Sequence, residues 1–326
     1  MPSLPQLNRE DYTVGWICAL SIELAAAKAL LDEKHENPIG DFGDDKNVYC
    51  TGAMAGHNVV IVCLPAGRIG NNPAAAVATQ MQAAFKGIRI GLMVGIGGGV
   101  PTTRDIRLGD VVVSEPYQTF GGVVQYDKGK DTMGGFKRTG SLNSPPQILL
   151  SAVQTVKADM AISQSHLLDH ILKLERFPTF QRQKAGPDVL FKATYNHIGT
   201  SSCKGCSPDE RIQRDQRQNG EEVQIHYGTI ASGNKVMKSA TKRDEESKRL
   251  GDILCFEMEA AGLMDTFPCL VIRGISDYAD SHKNKGWQPY AAGTAAAYAK
   301  EVLSVILPAQ MKITRPVGET MRNGDS

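Results

Sequence analysis

Apolar residues first gather in "TVGWICAL" (Thr13–Leu20), an unbroken run with the length of a buried strand. The spacing then becomes helical in "SIELAAAKALLDE", with Ser21 at the N-cap position. "VYCTGAMAGHNVVIVCLP" (Val48–Pro65) alternates as a hairpin, with its turn predicted over Ala55–Asn58. "NNPAAAVATQMQAAF" has a capping asparagine and an early proline ahead of a small-residue helix. Strands are predicted at "IRIGLMVGIGGGV", which ends in glycines, and at "GDVVVSEPY" and "GGVVQYDKGK". The alternation resumes late in the chain. There "IHYGTIASG" and "CLVIRGISDY" read as strands, and "FEMEAAGLMDTF" and "PYAAGTAAAYAKEVLSVIL" as helices.

Strands alternating with helices predict an α/β fold with a mixed central sheet flanked by helices. The pattern changes between Ser141 and Glu222. Two amphipathic helices are expected there, Pro145–Met160 and Ile162–Arg176, followed by a polar, loop-rich stretch from Phe177 to Glu222. This region is taken as an insertion (141–222) within one domain spanning 11–307, with 308–326 as a disordered tail.

Composition narrows the function classes. The 326 residues are 41% hydrophobic and 22% charged, enough to bury a core. A net charge of +1, without basic or acidic blocks, offers no electrostatic reason to expect nucleic acid or a membrane surface as partner. No apolar run reaches the ~18 residues that a bilayer span needs. The polar start "MPSLPQLNREDY" lacks a signal-peptide core, so a cytoplasmic location is expected. The seven cysteines are odd in number and sit mostly in apolar strands, which fits reduced core thiols.

Three motifs carry candidate chemistry. "GIGGGV" (Gly95–Val100) follows a strand, but Pro101-Thr102-Thr103 and a further strand come next, where a dinucleotide fingerprint requires a helix. The remaining readings are a tight turn and a close approach of Gly97 and Gly98 to a ligand. "HIGTSSCKGC" offers His197, Cys203 and Cys206 as three possible zinc ligands without a second CxxC. Loop thiols without metal are the favoured reading of that stretch. The acids are the stronger signal. Glu23 lies just after the first strand, Glu257 and Glu259 at a strand-to-helix corner in "CFEMEAAGL", and Asp277 at the end of a strand in "GISDYAD". Ligands of α/β sheets gather outside the carboxyl ends of strands, so four acids at such ends can converge on one.

"ALSIELAAAKALL", "AGRIGNNPAAA", "GIGGGV", "LGDVVVS", "IASGN", "CFEMEAAGL" and "RGISDYAD" occur in the order seen in the purine nucleoside phosphorylase/uridine phosphorylase superfamily. The chain resembles its methylthioadenosine/S-adenosylhomocysteine nucleosidase branch, and also fungal nucleoside-phosphorylase-like domains that are often fused ahead of NACHT or ankyrin-repeat regions. The resemblance implies cleavage of a purine–ribose bond, with no metal or organic cofactor required and a homo-oligomer, dimer or trimer, as the assembly. It implies that Asp277, after Ser276, donates to the leaving base. Glu259 would hold the ribose hydroxyls, Met258 pack on the ribose face, and Ser232 and Asn234 help line the base pocket. Glu257 is a second-layer group on this reading.

The nucleophile divides the superfamily. Its phosphorylases carry a Gly-Asp-Pro-type loop and arginines for phosphate, whereas its nucleosidases use a glutamate that activates water. Here "ALSIEL" places Glu23 at the water-activating position, and Met93 stands where many purine phosphorylases have an arginine. Hydrolysis is therefore expected, with phosphorolysis through Arg68, Arg104 or Arg107 as the alternative and a nucleoside-sensing module without turnover as a second. Arg68 and Ile96 depart from the bacterial nucleosidase pattern.

Overall fold

In the computed structural model, residues 3–39, 43–199, 202–217, 223–314 and 317 are described. The first apolar run forms β1 (Val14–Cys18), buried at every residue. It pairs in parallel with β4 (His57–Cys63) on one side and β5 (Ile90–Gly99) on the other. β5 in turn pairs in parallel with β13 (Cys269–Asp277). These strands form the centre of the sheet, and burial on both faces explains their near-continuous apolar sequences.

The sheet widens on both flanks. β3 (Tyr49–Met54) and β2 (Glu33–Lys34) extend it antiparallel beyond β4, while β6 (Val111–Ser114) and β10 (Ile225–Gly228) extend it beyond β13. A branch of β7 (Val123–Gln125), β11 (Ile230–Ser232) and β12 (Cys255–Glu257) joins the end of β5 through β12. Among the described residues this makes an eleven-stranded mixed sheet, in agreement with the α/β expectation. Two further strands, β8 (Gly129–Thr132) and β9 (Gly135–Arg138), form a separate hairpin. "GGVVQYDKGK" is thus divided between two sheets, since Tyr126 and Asp127 leave the ladder after β7.

The helices are α1 (Ser21–Ala29), α2 (Asn71–Ala84), α3 (Gln147–Ala161), α4 (Leu167–Glu175), α5 (Arg182–Ala185), α6 (Ala240–Arg249), α7 (Gln288–Ser304) and α8 (Pro308–Ile313). The small-residue helix α7 lies against β5 and β13, and α1, α3 and α4 pack on α7. Both helices expected in the 141–222 segment form, and both dock on the common core.

Three local expectations change. The hairpin turn is tighter than predicted: Ala55 and Gly56 alone turn the chain, with φ of 50° and 79°, the left-handed pair that matches strand twist. "FEMEAAGLMDTF" is not a helix. β12 ends at Glu257, and only a 3₁₀ turn, Ala260–Gly262, follows. The Glu257 carboxylate takes up the Glu259 and Ala260 N–H groups, and Gly262 is pressed against the start of α2, where an added Cβ would lie 2.0 Å from the Asn71 carbonyl oxygen. The segment from 308 is not a structureless tail throughout, because it contains α8, and Val317 N–H donates to the Ile88 carbonyl at 3.0 Å. The remainder of that expectation lies outside the described residues.

Gly274, in the middle of β13, sets how closely α7 approaches the sheet. A Cβ there would lie 1.8 Å from the Ala291 carbonyl oxygen, which is helix backbone and cannot step aside. Gly274→Ala is therefore expected to destabilise the protein by about 1–3 kcal/mol or more, as overpacking does. Thermal and urea unfolding measure it, and an unchanged midpoint would contradict this packing.

Candidate active site

The parallel strands β1, β5 and β13 deliver their carboxyl ends to one place, and β12 arrives beside them. A cleft of about 150 Å³ opens there, its walls including Glu23, Gly97, Gly98, Met258, Glu259 and Asp277. Glu257, Ser276, Ile96, Phe256, Lys283 and Gln288 complete much of the lining. The acids singled out from the sequence do converge.

Glu23 is held in the first turn of α1. Its Oε2 accepts the Ala19 and Leu20 N–H groups at 2.7 and 2.9 Å, and its Oε1 accepts Ile96 N–H from β5 at 2.8 Å. Leu20, not the predicted Ser21, is the N-cap residue, and the Glu23 carboxylate reaches back from the first turn to the Ala19 and Leu20 amides. Burial pushes its pKa above the usual carboxylate range, opposed by Arg273 and by those three amides.

Arg273 was not singled out from the sequence, yet it organises the site. It sits in mid-strand of β13 with 0% exposure, among Glu23, Glu257 and Glu259, which are 3%, 5% and 5% exposed. Its Nη2 donates to Glu257 Oε2 and lies 3.4 Å from Glu259 Oε2. Burial alone would lower its pKa, but Glu257, Glu259 and Glu23 outweigh that and raise it, so the guanidinium stays charged. The signal was present: a single arginine inside "CLVIRGISDY" must find buried acids or leave its charge unpaired, at a cost of several kcal/mol.

One cation facing three carboxylates leaves the cluster short of positive charge. The deficit is greatest at Glu259, whose pKa burial pushes up to about 7, with Arg273 opposing and Glu257 and Glu23 adding to the rise. Glu257 is differently placed. Its oxygens accept Glu259 N–H at 3.0 Å and Ala260 N–H at 2.9 Å, so it shapes the turn that presents Met258 and Glu259.

Asp277 ends β13 at an irregularity, where the register passes from Ile275 opposite Gly97 to Asp277 opposite Gly98. The extra residue lets Ser276 and Asp277 both reach the cleft. Asp277 Oδ1 accepts Ala279 N–H at 2.8 Å and lies 3.1 Å from Lys283 Nζ, and Ser276 Oγ donates to Oδ2 at 3.2 Å.

The glycines of "GIGGGV" are neither a turn nor at positive φ; they are strand residues with side chains crowded over them. A Cβ on Gly95 would lie 2.5 Å from Glu23 Oε1 and 2.6 Å from Arg273 Nη1, and one on Gly98 would lie 2.7 Å from Asp277 Oδ1. They make room for the charged cluster.

Ser232 and Asn234 do not line the cleft; they stand behind its Met258–Ala261 wall. Ser232 Oγ accepts Ala261 N–H at 2.9 Å, and Asn234 Oδ1 accepts Asn71 N–H at 3.1 Å. With its amide nitrogen turned inward, the Asn71 side chain donates to the Met258 and Glu259 carbonyls at 3.1 and 3.2 Å. Asn71 is a further supporting residue that sequence reasoning missed. Arg68 is exposed in the turn after β4, off the cleft lining. Arg104 donates to the Tyr227 carbonyl, and Arg107 pairs with Asp105. Cys203 and Cys206 are free thiols, and with His197 they lie in the insertion, apart from the cleft lining.

A sheet branching at the end of β5, with acids gathered at the ends of its parallel strands, defines a nucleoside phosphorylase-like architecture. The family model described as "Phosphorylase superfamily" matches residues 13–307, and the chain belongs to that superfamily. It is 45% identical over 316 residues to a "Nucleotide-binding leucine-rich repeat (NLR)-like protein" of Hyaloscypha variabilis, covering 96% of this chain and 31% of that protein. The chain thus spans about a third of that relative's length. It is 33% identical over 89 residues to a "Death domain-containing ATP nucleosidase" of Amphimedon queenslandica, covering 25% of this chain and 17% of that protein. Among solved structures, the 5'-methylthioadenosine/S-adenosylhomocysteine nucleosidase of Neisseria meningitidis with methylthio-immucillin-A shares the fold. Its TM-score is 0.58 at 18% identity, covering 90% of this chain and 99% of that one.

The raised carboxylates give stability a definite pH dependence. An acid whose folded pKa exceeds its unfolded one binds more protons folded than unfolded between the two values. Stability therefore falls as pH rises through that window, which for Glu259 runs from the ordinary 4.5 to about 7. Urea unfolding across about pH 5–8 should show this fall, and Glu259→Gln should flatten it by up to about 1.4 kcal/mol per pH unit for one proton. The same slope in both proteins would contradict the assignment.

Proposed function

We propose that the chain is a purine nucleosidase, hydrolysing the N-glycosidic bond of adenosine-like ribonucleosides to free base and ribose. The observation that carries this reading is the convergence of Glu23, Glu259 and Asp277 on one cleft, with Arg68, Arg104 and Arg107 off its walls. Departure of a purine leaves an oxocarbenium-like sugar and an anionic base. Asp277 is the general acid or hydrogen-bond partner for the base. Glu259 binds the ribose hydroxyls and stabilises the developing positive charge, while Met258 packs against the sugar. Glu23 takes the proton of the attacking water, and its raised pKa makes it a better acceptor than an ordinary carboxylate. Its fixed amide contacts leave little reorganisation for the reaction itself.

Phosphorolysis is the second reading, favoured by Lys283 as a cation on the cleft wall. Lys283 lies 3.1 Å from Asp277, which competes with phosphate for its charge, and Glu23 would repel a phosphate dianion. The named activity of the Amphimedon relative supports including ATP with adenosine and methylthioadenosine as substrates to be assayed. The match to part of an NLR-like protein supports testing a binding role without turnover.

Glu23→Gln should abolish hydrolysis while purine binding, followed by calorimetry, persists, because an amide cannot accept the proton. Asp277→Asn should lower kcat by about 10²–10⁴-fold with the fold intact, the usual worth of a general acid. A folded Glu23→Gln protein with wild-type turnover would remove the water-activating role, and a near-normal kcat for Asp277→Asn would remove the acid.

A further inference from the structure

The structure adds a fourth group to the His197/Cys203/Cys206 set, from a distant part of the chain. His282 comes from the loop after β13 and meets the other three so that all four ligating atoms lie within 4.8 Å of one another. Cys203 Sγ is 3.7 Å from His197 Nδ1 and 3.7 Å from His282 Nδ1, while Cys206 Sγ is 3.4 and 3.8 Å from the same two atoms. A zinc ion with bonds of about 2.3 Å to sulfur and about 2.0–2.1 Å to nitrogen holds tetrahedral S and N ligands about 3.5 Å apart. The four observed S···N edges bracket that value.

The surroundings are those of a metal-binding histidine. His282 Nε2 lies 3.0 Å from the Tyr195 carbonyl oxygen, to which it donates, so Nδ1 keeps its lone pair toward the sulfurs. Phe191 stacks on the His282 ring at 4.0 Å, and Tyr195 flanks it at 5.6 Å, fixing the ring plane. A 3₁₀ turn, Cys203–Gly205, brings both sulfurs to one side, with Cys206 N–H donating to the Cys203 carbonyl at 3.1 Å. The His197 N–H donates to Ser281 Oγ at 2.9 Å, binding the same two segments by a second route.

We propose that His197, Cys203, Cys206 and His282 bind a structural zinc ion that fastens the insertion to the loop following Asp277. A complete S₂N₂ set leaves no open position for substrate or water, so the role is structural. Zinc is the metal that two thiolates and two imidazoles in tetrahedral array select. The next residue, Lys283, pairs with Asp277, so the clamp positions one wall of the cleft. The inference does not depend on the reaction proposed above.

The test is metal analysis of the full chain, produced in zinc-containing medium and purified under reducing conditions. About one zinc per chain is expected, falling below about a tenth in Cys203→Ser/Cys206→Ser, and cobalt(II) exchanged into the wild type should show tetrahedral, thiolate-ligated absorption. The cobalt spectrum needs no variant, so it stands even if the double serine protein fails to fold. A wild-type chain that takes up neither zinc nor cobalt under reducing conditions would overturn the proposal. So would zinc retained by a folded double variant, or a Cys203–Cys206 disulfide in the purified protein that persists beside added zinc.

Discussion

The buried guanidinium of Arg273 is the constraint around which the site is built. Without it, Glu23, Glu257 and Glu259 would be three carboxylates sharing one desolvated space, which repulsion and burial together would forbid in ionised form. With it, the cluster remains under-neutralised, and burial, reinforced by Glu257 and Glu23 against the opposing Arg273, pushes the Glu259 pKa up to about 7. Removing one partner of such a buried pair typically costs about 3–5 kcal/mol, whereas replacing the whole cluster by apolar groups can be neutral or stabilising. Stability alone therefore gives no reason to keep such a cluster, which is what marks it as a candidate site.

The rest of the fold serves that cluster. Gly95 is bare so that Glu23 and Arg273 can lie against β5, and Gly98 is bare so that Asp277 can. Glu257 gives its oxygens to the turn amides, and Asn71 and Ser232 brace the same turn from behind. Helix α7, rich in small residues, lies close against β13 and covers the strand that carries Arg273.

The pattern of apolar runs was enough to read the alternating α/β order, the mixed sheet and the placement of acids at strand ends; that the centre of the sheet is parallel came from the structure. The failures share a cause. "FEMEAAGLMDTF" has helical composition, but Glu257 caps its amides and Gly262 is crowded by α2, so tertiary contact overrides propensity. Arg273 looked like one polar residue in an apolar strand, because its partners are distant in sequence. His282 escaped the CxxC reading for the same reason: it follows Cys206 by 76 residues, with β10, β11, α6, β12 and β13 between them. Ser232 and Asn234 were recognised by motif, and their hydrogen bonds from the Ala261 and Asn71 amides give them a bracing role behind the cleft wall.

Water activated at Glu23 is the nucleophile of the proposed reaction. The most direct measurement is the sugar product formed by the wild-type protein from a purine ribonucleoside, with and without inorganic phosphate. Free ribose alone, at a rate indifferent to phosphate, is the predicted result. Ribose 1-phosphate accumulating with added phosphate would contradict it.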